Sequence, residues 1–107
     1  MVKGQSIQVL SAPCYIASKF EAYHNRGKDY RSSHDIEDIV YIVDNRLNIT
    51  DEIANDQAEV RSFIKEQFNR LIEKRLLDEV LVTHIHPIML AERLPMVKDK
   101  IQRILDI

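Results

Sequence analysis

Residues 56–76 read DQAEVRSFIKEQFNRLIEKRL, and this stretch decides the fold class. Its apolar side chains recur every three or four residues with charged side chains between them, a spacing that gives an α-helix one apolar face. The apolar positions are Val60, Phe63, Ile64, Phe68, Leu71, Ile72 and Leu76. Asp56 followed by Glu59 is the pattern of a capping box, so the helix is predicted to begin here.

Two helices are predicted upstream of this stretch. The first begins at Ser11-Ala12-Pro13, with a proline near the first helical position, runs to about His24 and stops before Gly27. The second begins after Ser33, a candidate N-cap, and ends in residues 44–46. The apolar arc of the first is Tyr15, Ile16, Phe20, Ala22 and Tyr23, and that of the second is Ile36, Ile39, Val40 and Val43.

The rest of the chain continues the helical pattern. Thr50 is predicted to cap a short helical turn over 51–54, and residues 77–85 are predicted to form a further short helix that Pro87 ends. A last helical region runs from about Met89 to Leu105, interrupted or restarted at Pro95. The fold class is therefore mainly α, a small bundle of about five helices in a single domain over 1–107.

The N-terminal residues differ from this pattern. Residues 5–10, QSIQVL, alternate polar and apolar side chains and predict one short β-strand. A single strand leaves its backbone groups unpaired, so it requires another chain, a missing segment or disorder. The strand predicts that something upstream is absent.

Composition narrows the classes of function. The chain has 107 residues with a net charge of −2, which does not support a domain built to coat a nucleic acid, although a local patch is compatible with it. Cys14 is the only cysteine, so no internal disulfide and no cysteine-based zinc site is expected. No apolar run approaches the roughly 18 residues of a membrane span, and the start lacks the apolar region of a secretory signal. We expect a cytoplasmic location and no membrane partner.

Lys19 is the most informative residue, because it falls near the middle of the apolar arc of the first helix. A buried ammonium is costly unless it reaches water along its stem or meets a carboxylate. Asp35 and Asp38 are three residues apart and share a flank of the second helix, which should pack antiparallel to the first. The sequence therefore predicts a contact of Lys19 with Asp35 or Asp38. The alternative is a Lys19 stem that extends into solvent.

The loop between these helices carries Arg26, Lys28, Asp29, Tyr30 and Arg31. Three cations with one anion can bind a phosphate or a base. The alternative is a solvated turn, in which Asp29 and Tyr30 tie the loop to the helices.

Histidines suggest two weaker metal hypotheses. His34-Asp35 is the dipeptide of HD-type metal phosphohydrolases, for which His24 and either Asp38 or Asp44 would be the outer ligands. The spacing from His24 to His34 is shorter than that fold uses, and His34 lies off the apolar stripe.

His84 and His86 form a second possible zinc pair, without an evident third ligand. Cys14 lies in a first helical turn, where a thiolate is favoured, but no histidine base is placed for it. The chain also lacks a Gly-rich phosphate loop, a Gly-Ser followed by an acidic pair, and a recognisable Ser/His/Asp set. No complete active site is therefore predicted.

A family resemblance covers about residues 9–46. The segments that carry it are Ala12-Pro13, IASKFEAY at 16–23, Arg26-Gly27, Asp29-Tyr30, SHDIEDI at 33–39 and VDNR at 43–46. They resemble the C-terminal half of nucleotidyltransferase-like proteins of the AbiEii/AbiGii abortive-infection toxin type, a family similar to the polymerase-beta-type nucleotidyltransferases and linked to toxin–antitoxin systems. Asn45 stands where that family commonly has glycine.

The resemblance implies a truncated or split nucleotidyltransferase-like domain, inactive alone. Lys19, Arg26, Asp29, Asp35 and Asp38 match positions that line the nucleotide or acceptor side of the cleft, and Lys19 with Asp35 or Asp38 would form one wall of it. The family's Gly-Ser loop and metal-binding strand are not in this chain, so Mg²⁺ and NTP are expected only if a catalytic half is supplied. The strand over 1–10 would be left from the missing catalytic sheet.

Two alternatives belong to other classes. The chain is either a small helical protein-interaction module that forms homo-oligomers, because a domain without its former neighbour exposes apolar surface, or, as a weaker alternative, an HD-like metal phosphohydrolase.

Overall fold

A computed structural model describes residues 11–27 and 29–107, and every regular element in these two ranges is an α-helix. The helices are α1 (Ala12–Arg26), α2 (His34–Asn45), α3 (Ile49–Ala54), α4 (Ala58–Glu73), α5 (Leu77–His84) and α6 (Leu90–Leu105). The mainly helical class is therefore confirmed. Six helices replace the expected five or so because the short turn near Thr50 is a helix of its own. The predicted strand over 5–10 lies outside the described residues.

The ends of α1 and the start of α2 follow their local sequence. The Ser11 hydroxyl accepts the backbone N–H of Cys14, and Gly27 ends α1 with a positive φ of 66°. Glycine adopts this left-handed conformation without a steric penalty, so α1 ends next to it, at Arg26, two residues beyond the expected end near His24. The predicted N-cap at Ser33 is confirmed, since its hydroxyl accepts the N–H of Ile36.

Two predicted helix starts are wrong. The residue that precedes α3 is Asn48, so Thr50 lies inside the helix rather than at its cap. The capping box at Asp56 does not form, because α4 begins one residue later, after Gln57. The Asp56 carboxylate instead accepts the adjacent N–H of Gln57 and the hydroxyl of Ser11.

The expected break at Pro95 is also wrong, since α6 continues through it from Leu90 to Leu105. A proline inside a helix removes the N–H that would bond to the carbonyl four residues before. Here Pro95 and Ala91 are both exposed, so water can satisfy the freed carbonyl of Ala91. The buried Val97 and Ile101 hold the rest of α6 on the core.

One core joins all six helices. α1 lies against α2, α3 and α4, and α6 covers the other side by packing on α2 to α5. At the centre the rings of Phe20 and Phe68 meet edge to face, with centroids 5.3 Å apart. At the joint between α1 and α2, the charged side chain of Asp35 is buried against this core. None of the helices in the described ranges combines the length and apolar character that crossing a bilayer requires.

Candidate functional site

The joint between α1 and α2 contains the predicted ion pairs. The Lys19 ammonium on α1 lies 2.9 Å from Asp38 Oδ2 and 3.7 Å from Asp35 Oδ1 on α2. Because the two acids are three residues apart, both face α1 from one side of α2. The predicted contact of Lys19 with these acids is therefore confirmed, and Lys19 does not extend into solvent away from both.

Asp35 is the buried member of this group. Only 2% of its surface is exposed, and Arg26 Nη1 at the end of α1 lies 3.2 Å from its Oδ2 atom. Its place in the first turn of α2 adds the favourable partial charge of a helix N-terminus. We call Lys19, Arg26, Asp35 and Asp38 the α1–α2 charge cluster.

The environment of Lys19 favours its charged form. The hydrogen bond to Asp38 is the main cause that raises the pKa of Lys19, and the charges of Asp38, Tyr15 and Asp35 act in the same direction. Desolvation opposes this shift but does not reverse it. The ammonium also lies 5.3 Å from the centroid of the Tyr15 ring, within range of a cation–π interaction.

The α1–α2 charge cluster is electrically balanced and partly open to water. Two cations face two carboxylates, so no excess positive charge is available to hold a phosphate alone. The side chains of Lys19, Asp38 and Arg26 are 27%, 41% and 60% exposed, which leaves donors and acceptors at the surface. Chemically, the cluster can position a polar ligand through hydrogen bonds, but it lacks the free carboxylates that metal-assisted group transfer requires.

Asp29 lies outside this cluster. Its carboxylate accepts hydrogen bonds from the backbone and the guanidinium of Arg31, and Arg31 also meets Glu79 on α5 at 2.7 Å. The bond to Arg31 lowers the pKa of Asp29, and the bond to Asp29 raises that of Arg31. Four of the five predicted site residues therefore converge, and the fifth is engaged elsewhere. The predicted loop residue Lys28 lies outside the described residues.

Tyr30 ties the loop to two helices. Its ring stacks on Tyr23 of α1 with centroids 4.8 Å apart, and its carbonyl oxygen is 2.8 Å from His84 Nε2 on α5. Burial and the neighbouring Tyr30 raise the pKa of Tyr23 to about 12. The structural interpretation of Tyr30 is therefore confirmed.

The histidines occupy separate environments. His24 is hydrogen-bonded to the buried amide of Gln67, whereas His34 projects into solvent beside Glu37. His84 bonds to the Tyr30 carbonyl, and His86 accepts the N–H of Ile88. Within residues 11–27 and 29–107, no group of three or more His, Cys, Asp or Glu side chains is placed to share a metal ion. The ligand sets proposed from His24, His34 and Asp35 are thus not brought together.

Sequence reasoning missed a group of exposed apolar side chains where the end of α2 meets α6. Tyr41 and Met89 line one groove, Tyr41 and Leu47 line a second, and Leu47 and Met96 line a third. We call these four residues the apolar end. The available signal was Tyr41, which falls off the apolar stripe of α2, whereas Leu47 lies in the turn after the helix ends at Asn45.

Comparison with protein-family models, curated proteins and solved structures found no match to this chain. The resemblance to nucleotidyltransferase-like proteins therefore stays a prediction, and the functional argument starts from the geometry of the two surfaces.

Proposed function

We propose that this chain is the helical part of a nucleotidyltransferase-like protein, in which the α1–α2 charge cluster forms one wall of an NTP and acceptor cleft. The observation that supports the proposal is the convergence of Lys19, Arg26, Asp35 and Asp38, four of the five positions that the resemblance marks, at one helix joint. The catalytic half comes from another segment or another chain.

The wall contributes positioning rather than chemistry. The ammonium of Lys19 and the guanidinium of Arg26 can donate hydrogen bonds to an oxygen of the nucleotide or acceptor. Asp35 and Asp38 are occupied by these cations, so the carboxylates that bind Mg²⁺ belong to the catalytic half. The isolated chain is therefore catalytically inert and binds a nucleotide weakly, with a dissociation constant on the order of 1 mM.

Two measurements test this function. The 107 residues incubated with Mg²⁺ and labelled NTPs should give no nucleotidyl transfer, and robust turnover would contradict the proposal. In an NMR titration, MgATP should shift the amide signals around Lys19, Arg26 and Asp38.

Matched variants make the NMR titration specific. Lys19→Met should remove most of the MgATP-induced shifts. Lys98→Met is the control, because Lys98 also pairs with an aspartate of a neighbouring helix, at 2.7 Å from Asp78. The proposed cleft wall would be contradicted by equal shifts in both variants. It would also be contradicted if the unmodified chain showed no shifts at a MgATP concentration about 10-fold above the expected dissociation constant.

The apolar end favours a second function, a helical interaction module. We propose that two copies of the chain associate through Tyr41, Leu47, Met89 and Met96, of which Leu47 is 89% and Tyr41 65% exposed. Exposed apolar side chains on adjoining grooves are typical of a protein contact surface. A net charge of only −2 produces little repulsion between copies, which favours a second copy as the partner.

Sedimentation velocity over a range of concentrations tests this association. The chain should shift towards a dimer as its concentration rises, and Leu47→Asp should keep it monomeric. Val82→Asp is the matched control, since Val82 is 46% exposed on α5 and does not line these grooves. A clean monomer at high concentration, or equal effects of both variants, would exclude the apolar end as a dimer surface.

A further inference from the structure

A separate groove lies between the α4–α5 turn and α6. Its volume is about 440 Å³, within the range of small-molecule sites. Apolar side chains of three helices form its floor: Ile72 of α4, Leu77 of α5 and Ile101 of α6. None of the residues of the α1–α2 charge cluster lines it, so the groove is independent of the function proposed above.

The charged side chains of this groove leave one positive charge. Lys98 Nζ meets Asp78 Oδ1 at 2.7 Å across the space between α6 and α5, so this pair is neutral. Arg75 is exposed at the α4–α5 turn, and no carboxylate within the described part of the chain forms an ion pair with it. The groove thus combines an apolar floor with a single unmatched guanidinium.

We propose that this groove binds a small amphipathic carboxylate, with its anionic head on the Arg75 guanidinium and a short apolar tail on Ile72, Leu77 and Ile101. A guanidinium binds a carboxylate through two parallel hydrogen bonds, which fixes the head. One negative charge balances the groove, whereas a phosphate dianion would leave an excess negative charge beside the apolar floor. A ligand of about ten heavy atoms should bind with a dissociation constant on the order of 1 mM.

The backbone at Arg75 makes the proposal unusually testable. Arg75 has a positive φ of 59° and lies in the Schellman turn that ends α4. In this turn the N–H of Leu76 donates to the carbonyl of Leu71, and the N–H of Arg75 donates to the carbonyl of Ile72. Glycine is the residue that fits this conformation best. Arg75→Gly therefore removes the guanidinium without endangering the fold.

The experiment is a titration of the isoleucine and leucine methyl signals with hexanoate. We expect the signals of Ile72, Leu77 and Ile101 to shift together. Arg75→Gln and Arg75→Gly should each weaken binding at least about 10-fold, because a charge-assisted hydrogen bond is lost. Lys74→Gln is the matched control and should bind as the unmodified chain does, since Lys74 is a neighbouring exposed cation that does not line the groove.

Related probes separate the head from the tail. Hexanol should bind about 10-fold more weakly than hexanoate, hexylamine should not bind, and acetate or inorganic phosphate should leave the methyl signals in place. Equal binding of hexanol and hexanoate, or unchanged binding by Arg75→Gln, would overturn the role of Arg75. Methyl shifts that follow protein concentration instead of hexanoate would identify a contact between copies and overturn the ligand site.

Discussion

Asp35 is a carboxylate almost fully buried from water, and its neighbours offset the desolvation cost of its charge. Lys19 and Arg26 both lie within ion-pair distance of its carboxylate, and the first turn of α2 adds a favourable partial charge. The two cations are seven residues apart on α1, which places them on the same face two turns from each other. By pairing with both cations, Asp35 fixes the position of α2 along α1.

Replacing Asp35 by asparagine should lower the free energy of unfolding by about 1–3 kcal/mol, because hydrogen bonds to charged donors and the favourable helix-end charge are lost. Asp38→Asn is the control and should cost less than about 1 kcal/mol, since exposed ion pairs contribute little. Urea unfolding followed by circular dichroism measures both. Equal losses would show that burial of Asp35 is not what makes it important.

The sequence was sufficient to predict the contacts of three of the four residues in this cluster. The position of Lys19 on the apolar arc and the spacing of Asp35 and Asp38 predicted their contact. The pairing of Arg26 with Asp35 was not predicted, because the helix was expected to stop near His24 and Arg26 was assigned to the loop. In the structure α1 continues to Arg26 before the left-handed Gly27 ends it, and Arg26 therefore lies on the same face of α1 as Lys19.

Side chains satisfy backbone groups at both ends of helix α2. The buried hydroxyl of Ser33 accepts an N–H of its first turn. At the other end the ammonium of Lys100 on α6 donates to the carbonyls of Val43 and Asp44, at 2.9 and 3.0 Å, and lies 3.4 Å from that of Arg46. The carbonyls of Val43 and Asp44 belong to the last turn of α2 and lack partners within the helix, so Lys100 satisfies groups that would otherwise depend on water.

Ser33→Ala should destabilise the protein by about 1–2 kcal/mol, because it removes an N-cap that water cannot replace in a buried setting. Ser11→Ala removes the corresponding cap of α1, but Ser11 is exposed and water can bond to the freed N–H, so about 0.5–1 kcal/mol is expected. The midpoint of thermal unfolding, measured for each variant, compares the two losses of stability. A larger loss for Ser11→Ala would contradict the argument from burial.

Lys100→Met should cost about 1–3 kcal/mol, because the apolar stem is kept while the donor to the α2 carbonyls is lost. Lys98→Met, two residues away, breaks only an exposed pair with Asp78 and should cost less than about 1 kcal/mol. Chemical denaturation gives both values. If the two variants were equally stable, the carbonyls of α2 would be adequately solvated without Lys100.

The periodicity of apolar residues predicted the helices, but it could not predict contacts between a side chain and the backbone of a helix distant in sequence. Lys100 looks like any charged residue of α6, and its partners are carbonyls of α2 that no side-chain pattern reveals. The start of α4 was mispredicted for a related reason. Asp56 matches the first position of a capping box, yet its carboxylate bonds to Gln57 and Ser11 instead.

For the whole molecule, the shared core and the loop anchored by Tyr30 make stability depend on groups from distant helices. Tyr23 is buried beside Tyr30, and both effects raise its pKa from the ordinary tyrosine value of 10.0 to about 12. The pKa of Lys19 is also raised. In both cases the folded state keeps a proton that the unfolded chain releases first.

The free energy of unfolding should therefore be constant between about pH 7 and 9 and fall between about pH 10 and 12, as the unfolded state loses protons that the folded state retains. Tyr23→Phe removes one of these groups and should make the decline shallower. Urea titrations at pH 8, 10 and 11 test it, with Tyr41→Phe as the control because Tyr41 is 65% exposed. If the unmodified chain and both variants lost stability in parallel with rising pH, Tyr23 would be excluded as a source of the pH dependence.

The ammonium that bonds to the end of α2 also sets an order of events during biosynthesis. Lys100 follows Val43 by 57 residues, so a growing polypeptide exposes α1 and α2 to solvent well before that ammonium leaves the ribosome. Until then the carbonyls of α2 are solvated and the core face that α6 later covers is bare. Nascent chains stalled ahead of Lys100 should accordingly be cleaved by added protease, and those stalled after the whole of α6 has emerged should resist it.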